Sequence, residues 1–235
     1  MSLAENIDLL ADPAQGYFAD YKQSAKTSVT FSHQFCGPYD VKGAFCPNCR
    51  KPLLRFFGLD TRDSRLSLQD NLASTLSLLF CWTCNVAQET FFYRDFGRAI
   101  EILQCGQGGV QVDFPYEGYP LFFPGAAVDL NAITPDEQAI LNRLNRRFET
   151  GEPTSQILGQ CRDLWSVRHQ IGGVPYLTQE LVMLECPLCN VEMPFLASVA
   201  NNCLDTRGLA GDDGVQVLYH YCRKCCVVGV YQMVD

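Results

Sequence analysis

Four C-x-x-C pairs constrain this chain more than anything else in it: Cys46/Cys49, Cys81/Cys84, Cys186/Cys189 and Cys222/Cys225. A tight turn across C-x-x-C points two thiolates at one centre, and two such turns supply the four soft ligands of a closed tetrahedral Zn2+ site. The pairs fall two by two. Thirty-one residues separate Cys49 from Cys81 and thirty-two separate Cys189 from Cys222, room for a hairpin or small sheet between the turns. Cys46-Pro47-Asn48-Cys49 and Cys186-Pro187-Leu188-Cys189 also share a proline directly after the first cysteine. The spacing predicts two structural zinc ions, one on Cys46, Cys49, Cys81 and Cys84, the other on Cys186, Cys189, Cys222 and Cys225. Four thiolates leave no open coordination position, so the expected role of each metal is to hold the fold. A thioredoxin-like redox reading would need one pair at a helix start, not four arranged in twos.

The chain has 13 cysteines among 235 residues. Met1-Ser2-Leu3-Ala4-Glu5 shows no basic region leading into an apolar run, and the best apolar stretch, Leu76 to Trp82, falls far short of the roughly 18 residues a membrane span needs. The expectation is therefore a cytoplasmic protein whose thiols stay reduced, not a disulfide scaffold. Cys36, Cys105, Cys161, Cys203 and Cys226 lie outside the metal scheme and read as small buried apolar side chains. Cys226 directly follows Cys225, and the two-residue spacing favours Cys225 as the ligand.

Self-similarity extends beyond the cysteines. His33-Gln34-Phe35-Cys36-Gly37-Pro38-Tyr39 precedes the first pair, and His169-Gln170-Ile171-Gly172-Gly173-Val174-Pro175-Tyr176 precedes the third. Apolar stretches follow each C-P-x-C (Leu53 to Phe57, Met193 to Val199), lead into each closing pair (Leu76 to Phe80, Val215 to Tyr221) and leave it (Thr90 to Tyr93, Val227 to Tyr231). The expected fold is α+β and β-rich, internally duplicated, with two zinc-ribbon-like β units at 31–96 and 167–235. Residues 1–30 read as an N-terminal helical segment, with candidates broken at Pro13 and Gly16. Residues 97–166 read as a mixed connecting segment, with short strands and turns over 97–128 and a helix at 135–149. That helix has Thr134 as N-cap, Pro135 at its first position, Glu137 completing a capping box, and Gly151 and Pro153 to stop it. A second helix is expected over 155–165.

The formal net charge is −8, and two zinc ions on eight thiolates would take it to about −12. A chain of that sign repels nucleic acid and anionic membrane as a whole. The charge is uneven: from Lys22 to Arg65 eight basic residues stand against three acidic ones, whereas Ala99 to Asn142 holds six acidic residues and no basic one.

The run from His169 to Val199, with Gly172-Gly173-Val174-Pro175, Cys186-Pro187-Leu188-Cys189-Asn190 and Met193-Pro194-Phe195-Leu196, resembles the YwqG-like family of bacterial proteins of unknown function. That family is similar in the same elements to the eukaryotic programmed-cell-death-protein-2 and ribosomal-RNA-accumulation proteins. The likeness runs through the second unit, is degraded over 31–96 and is absent from 97–166. It implies a β-rich duplicated fold, and its eukaryotic members imply a chaperone that holds a newly made ribosomal protein.

No G-x-S-x-G, P-loop, H-E-x-x-H or G-x-G-x-x-G pattern occurs, so no catalytic residue is assigned. His33, His169 and Tyr176 are the candidates for ligand contact, and the plainer reading of both histidines is that they fix the turn that follows. The functional expectation is a protein-binding or chaperone-like module for a protein or peptide client, with a basic client suiting the acidic surface. Two alternatives stay open: an enzyme with its site in 97–166, and a zinc-ribbon RNA-binding protein using Arg50, Lys51, Arg55, Arg223 and Lys224.

Overall fold

The computed structural model describes residues 15–21, 30–68, 72–81, 90–105, 121–159, 161, 164–165, 167–180, 182–200 and 215–234. Eleven strands among these residues form one antiparallel sheet: β1 (Tyr17–Tyr21), β2 (Gln34–Phe35), β3 (Leu54–Asp60), β4 (Thr75–Phe80), β5 (Phe91–Asp95), β6 (Ile100–Cys105), β7 (Ala126–Ala132), β8 (Gln170–Ile171), β9 (Phe195–Ala200), β10 (Val215–Cys222) and β11 (Val227–Val234). Their order across the sheet is β4-β3-β2-β7-β1-β8-β9-β10-β11-β5-β6. The apolar stretches that flank the cysteine pairs are strands β3, β4, β5, β9, β10 and β11, as their content of β-branched and aromatic residues predicts.

Strand pairing crosses the boundaries expected from the sequence. β5, from the first half, pairs with β11, with Phe91 opposite Val230 and Arg94 opposite Val227. β7, from the connecting segment, lies between β1 and β2, and β6 pairs with β5. The N-terminal segment departs from expectation as well. Tyr17–Tyr21 is a strand, paired with β7 on one side and with β8 on the other, while 1–14 and 22–29 lie outside the described residues. Burial of Tyr17, Phe18 and Ala19 overrides whatever local helix preference that stretch has.

The sheet curls until β4 comes up against β5, and the two are joined by side chains. The Tyr93 hydroxyl donates to the carbonyl of Ser77 and accepts from the backbone N–H of Leu79, both at 2.8 Å. The Asp95 carboxylate accepts from the Ser77 N–H, also at 2.8 Å. Tyr93 is fully buried, so these bonds satisfy backbone groups that water does not reach. Inside the curl lies the largest apolar cluster, which includes Phe57, Leu78, Tyr93, Val217, Tyr219 and Val228. Alternation puts Leu218 and Cys222 on the opposite face of β10, where they pack with Leu184, Cys186, Met193 and Phe195.

Helix α1 (Pro135–Thr150) carries the expected cap: Thr134 and Glu137 exchange both hydrogen bonds of the box, and Gly151 ends the helix in the left-handed region. It buries Leu141 and Leu144 against Phe18, Ile133 and Val174. Asn145 anchors it further, donating to the carbonyl of Pro175 at 2.7 Å and accepting from the N–H of Leu177 at 3.2 Å. Helix α2 (Thr154–Leu158) is shorter than the expected 155–165, with Gly159 as its C-cap.

Candidate metal centres

The two C-P-x-C turns share three backbone hydrogen bonds at matching positions. The Cys46 N–H donates to Lys51 O, the Arg50 N–H to Cys46 O and the Leu53 N–H to Ala44 O; in the second half Cys186 donates to Val191, Asn190 to Cys186 and Met193 to Leu184, all at 2.8–2.9 Å. A single bridge closes each turn, Phe45 with Pro52 and Glu185 with Glu192. Arg50 and Asn190, each following the second cysteine, take positive φ angles of 63° and 55°. The proline after the first cysteine presets its own φ and opens the turn.

These turns bring together the thiols that the spacing pairs. The sulfurs of Cys186, Cys189, Cys222 and Cys225 all lie within 4.8 Å of one another, and so do those of Cys46, Cys49 and Cys81. Cys84 lies outside the described residues. The Sγ–Sγ separations of 3.7 Å for Cys189–Cys222 and 3.5 Å for Cys49–Cys81 are far beyond a disulfide. They approach the edge of about 3.8 Å that follows from a tetrahedron with metal–sulfur bonds of about 2.3 Å. Each cluster can hold a metal ion.

The electrostatics of the second cluster suit a cation. The backbone N–H of Val191 draws Cys189 down to about 7, whereas burial pushes Cys222 and Cys225 up. Four sulfurs packed this closely cannot all ionise unless a cation enters, so metal uptake has to release protons. Cys226 points elsewhere: it sits at φ 53°, its thiol donates to the carbonyl of Arg223, and it packs in the interior cluster with Val228. Of the adjacent pair, Cys225 is the one in the metal cluster.

The other candidates are woven into the fold. His33, His169 and Tyr176 are all buried. His33 Nδ1 accepts from the N–H of Asp60 at the end of β3, and His169 Nδ1 accepts from the N–H of Ala200 at the end of β9, both at 3.3 Å. Their second faces differ. His33 Nε2 meets Asp63 at 2.9 Å, whereas the His169 ring stacks on Phe35 with centroids 4.5 Å apart. Gln170 ties the following turn, donating to the carbonyls of Gly172 and Val174 and accepting from the N–H of Tyr176. His220 donates through Nδ1 to the carbonyl of Met193 at 2.8 Å and lies against Phe195 and Tyr231. Burial holds all three imidazoles below their ordinary value, His169 at about 3 and His220 at about 4; at His33 the Asp63 carboxylate works against burial without cancelling it.

The basic residues of the RNA-binding alternative are split by the fold. Arg50, Lys51, Arg223 and Lys224 are exposed at the metal turns. Arg55 instead turns inward, donating to Gln34 and to the carbonyl of Cys36. Sequence reasoning missed the seam made by Tyr93 and Asp95, for which no local pattern exists. No helix among the described residues is long and apolar enough to cross a membrane. No protein-family model matches the chain, and no curated protein matches it.

Proposed function

We propose that this chain is a cytoplasmic protein-binding module, chaperone-like in action, whose two cysteine clusters each hold a structural Zn2+. The observation that carries the zinc assignment is the closed set of four thiols on Cys186, Cys189, Cys222 and Cys225, with an edge of 3.7 Å between Cys189 and Cys222. Soft sulfur ligands in a tetrahedron suit zinc, and a closed shell suits a structural role. Cys84 would complete the first set.

The same reading takes the chain as two copies of one ancestral plan. The matched metal turns support it, and so do three further correspondences. Cys36-Gly37 and Gly172-Gly173 both hold positive φ angles at the same distance after the paired histidines. The register of β3 against β4 skips Phe56, and that of β9 against β10 skips Leu196. The first strand of each copy pairs with the second strand of the other, β1 with β8 and β7 with β2, so the copies interlock. Gly16 and Gly125, just ahead of β1 and β7, lie so close to Gly173 and Gly37 that a Cβ on either would meet the facing glycine's Cα at about 3.0 Å and 3.1 Å. The YwqG-like and programmed-cell-death-protein-2 resemblance belongs to this proposal and points to a basic client, which the net charge of −8 would attract.

Native mass spectrometry of the protein drawn from its own cells without chelator tests the reading. The expected mass exceeds the chain by two zinc ions and a retained protein partner. A chain that carries no zinc would remove the metal assignment. A zinc-loaded chain that retains no partner at low salt would remove the binding function.

A further inference from the structure

The two metal turns share a backbone and differ in surface. On the second turn Leu188 and Val191 are each 52% exposed at the tip, and Glu185 and Glu192, paired across its base, are exposed beside them. The matching positions of the first turn are Asn48 and Lys51 at the tip and Phe45 and Pro52 at the base. An asparagine and a lysine therefore fit the same turn, and the turn itself does not require a leucine and a valine there. Arg223 and Lys224 are exposed in the other turn of the second centre, where a zinc ion held by four thiolates would give them a −2 charge to offset, while Glu185 and Glu192 are exposed on the turn that carries Leu188 and Val191.

We infer that the Leu188/Val191 tip is the docking site for a peptide segment carrying an apolar side chain between lysines or arginines. The inference rests on the protein-binding reading above and gives that reading a place on the molecule. The partner's apolar side chain covers Leu188 and Val191, and its basic neighbours meet Glu185 and Glu192. A metal ion on Cys186 and Cys189 would hold the tip in its binding shape before the partner arrives, which lowers the ordering cost of association. The contact is small, so the peptide binds weakly, and its dependence on exposed charges makes it sensitive to salt.

Fluorescence anisotropy with the zinc-loaded full chain tests this. The probe is a fluorescein-labelled Lys-Arg-Leu-Phe-Arg-Lys peptide; one control carries glutamates in place of its basic residues and another carries serines in place of Leu-Phe. The expected result is binding of the first peptide alone. Its affinity falls about tenfold or more in Leu188→Asp/Val191→Asp, falls about fivefold in Glu185→Lys/Glu192→Lys, and stays within about twofold in Asn48→Asp/Lys51→Asp. Native mass spectra with the wild-type zinc content in every variant show that the turns still hold. Equal binding by wild type and the Leu188→Asp/Val191→Asp variant overturns the inference, as does binding of the glutamate peptide or no binding of the first peptide by wild type. A cellular client held equally by that variant and by wild type removes this site and leaves the protein-binding reading standing. A wild-type chain that holds no client removes the reading itself.

Discussion

The two halves of the sheet share the C-P-x-C turn and differ, among the described residues, in how the strands that follow it meet. In the second half the turn that carries Cys222 and Cys225 is the hairpin turn: Cys222 ends β10, Val227 starts β11, and the ladder runs without a break from Val215–Val234 to Cys222–Val227. In the first half Cys81 follows β4 directly, but β5 begins only at Phe91 and pairs with β11. Among the described residues, the side chains of Tyr93 and Asp95 join β4 to β5. The difference teaches that two strands without a shared backbone ladder can still be bonded edge to edge through buried side chains. Where the backbone ladder is missing, buried side chains must supply its hydrogen bonds.

The widest test of this comparison removes one ligand from each centre. Zinc binding by small zinc-finger peptides is worth on the order of 10 kcal/mol, and most of it is folding free energy. Cys186→Ser should lose one equivalent of metal and weaken the hairpin built on it, while Cys46→Ser should lose the other equivalent and leave the β10–β11 ladder protected. Metal analysis and hydrogen exchange read both results. Two full equivalents and wild-type melting in both variants would end the assignment.

A smaller effect sharpens the contrast between ladder and seam. Tyr93→Phe removes the hydroxyl that serves Ser77 O and Leu79 N–H, and each buried group left without a partner costs about 1–3 kcal/mol. Urea unfolding should show a loss in that range for the seam. A loss under about 0.5 kcal/mol would mean that the seam adds nothing to stability.

The smallest effect separates the paired histidines. Both imidazoles lie below the unfolded value of about 6.5, so the unfolded chain takes up more protons as pH falls. The stability they carry is complete above about pH 6.5 and drains as pH drops through their folded values. His169, held at about 3 by burial, should cost about 1.4 kcal/mol per pH unit from 6.5 downward. His33 is lowered too, but Asp63 pulls against the burial. The urea midpoint of His169→Gln should therefore depend on pH less steeply than that of His33→Gln, with metal content followed in parallel because the thiols also take up protons. Equal slopes in the two variants would mean that Asp63 makes no difference.

Much of this molecule was legible residue by residue. Helix α1 could be read from Thr134, Pro135, Glu137 and Gly151 because capping and termination act within one turn of the chain. The flanking strands could be read from their apolar runs, and the tight cysteine turns from C-P-x-C. The histidines were legible in part. Their repetition suggested a structural part, but not that one would face Asp63 and the other Phe35. The exposed tip at Leu188 and Val191 was hidden, since an apolar residue in a sequence carries no mark of which way it points.

Spacing alone determined which thiols could share a centre, where most strands lie and where the long helix starts and stops, because each depends on atoms a few residues apart. Tertiary structure alone decided that Tyr17–Tyr21 is a strand, that β1 pairs with β8 and β7 with β2, and that β5 pairs with β11 and leaves Tyr93 to serve β4. Those outcomes are settled by competition among distant segments for the same buried surface and the same backbone partners, and no local stretch of sequence records who wins.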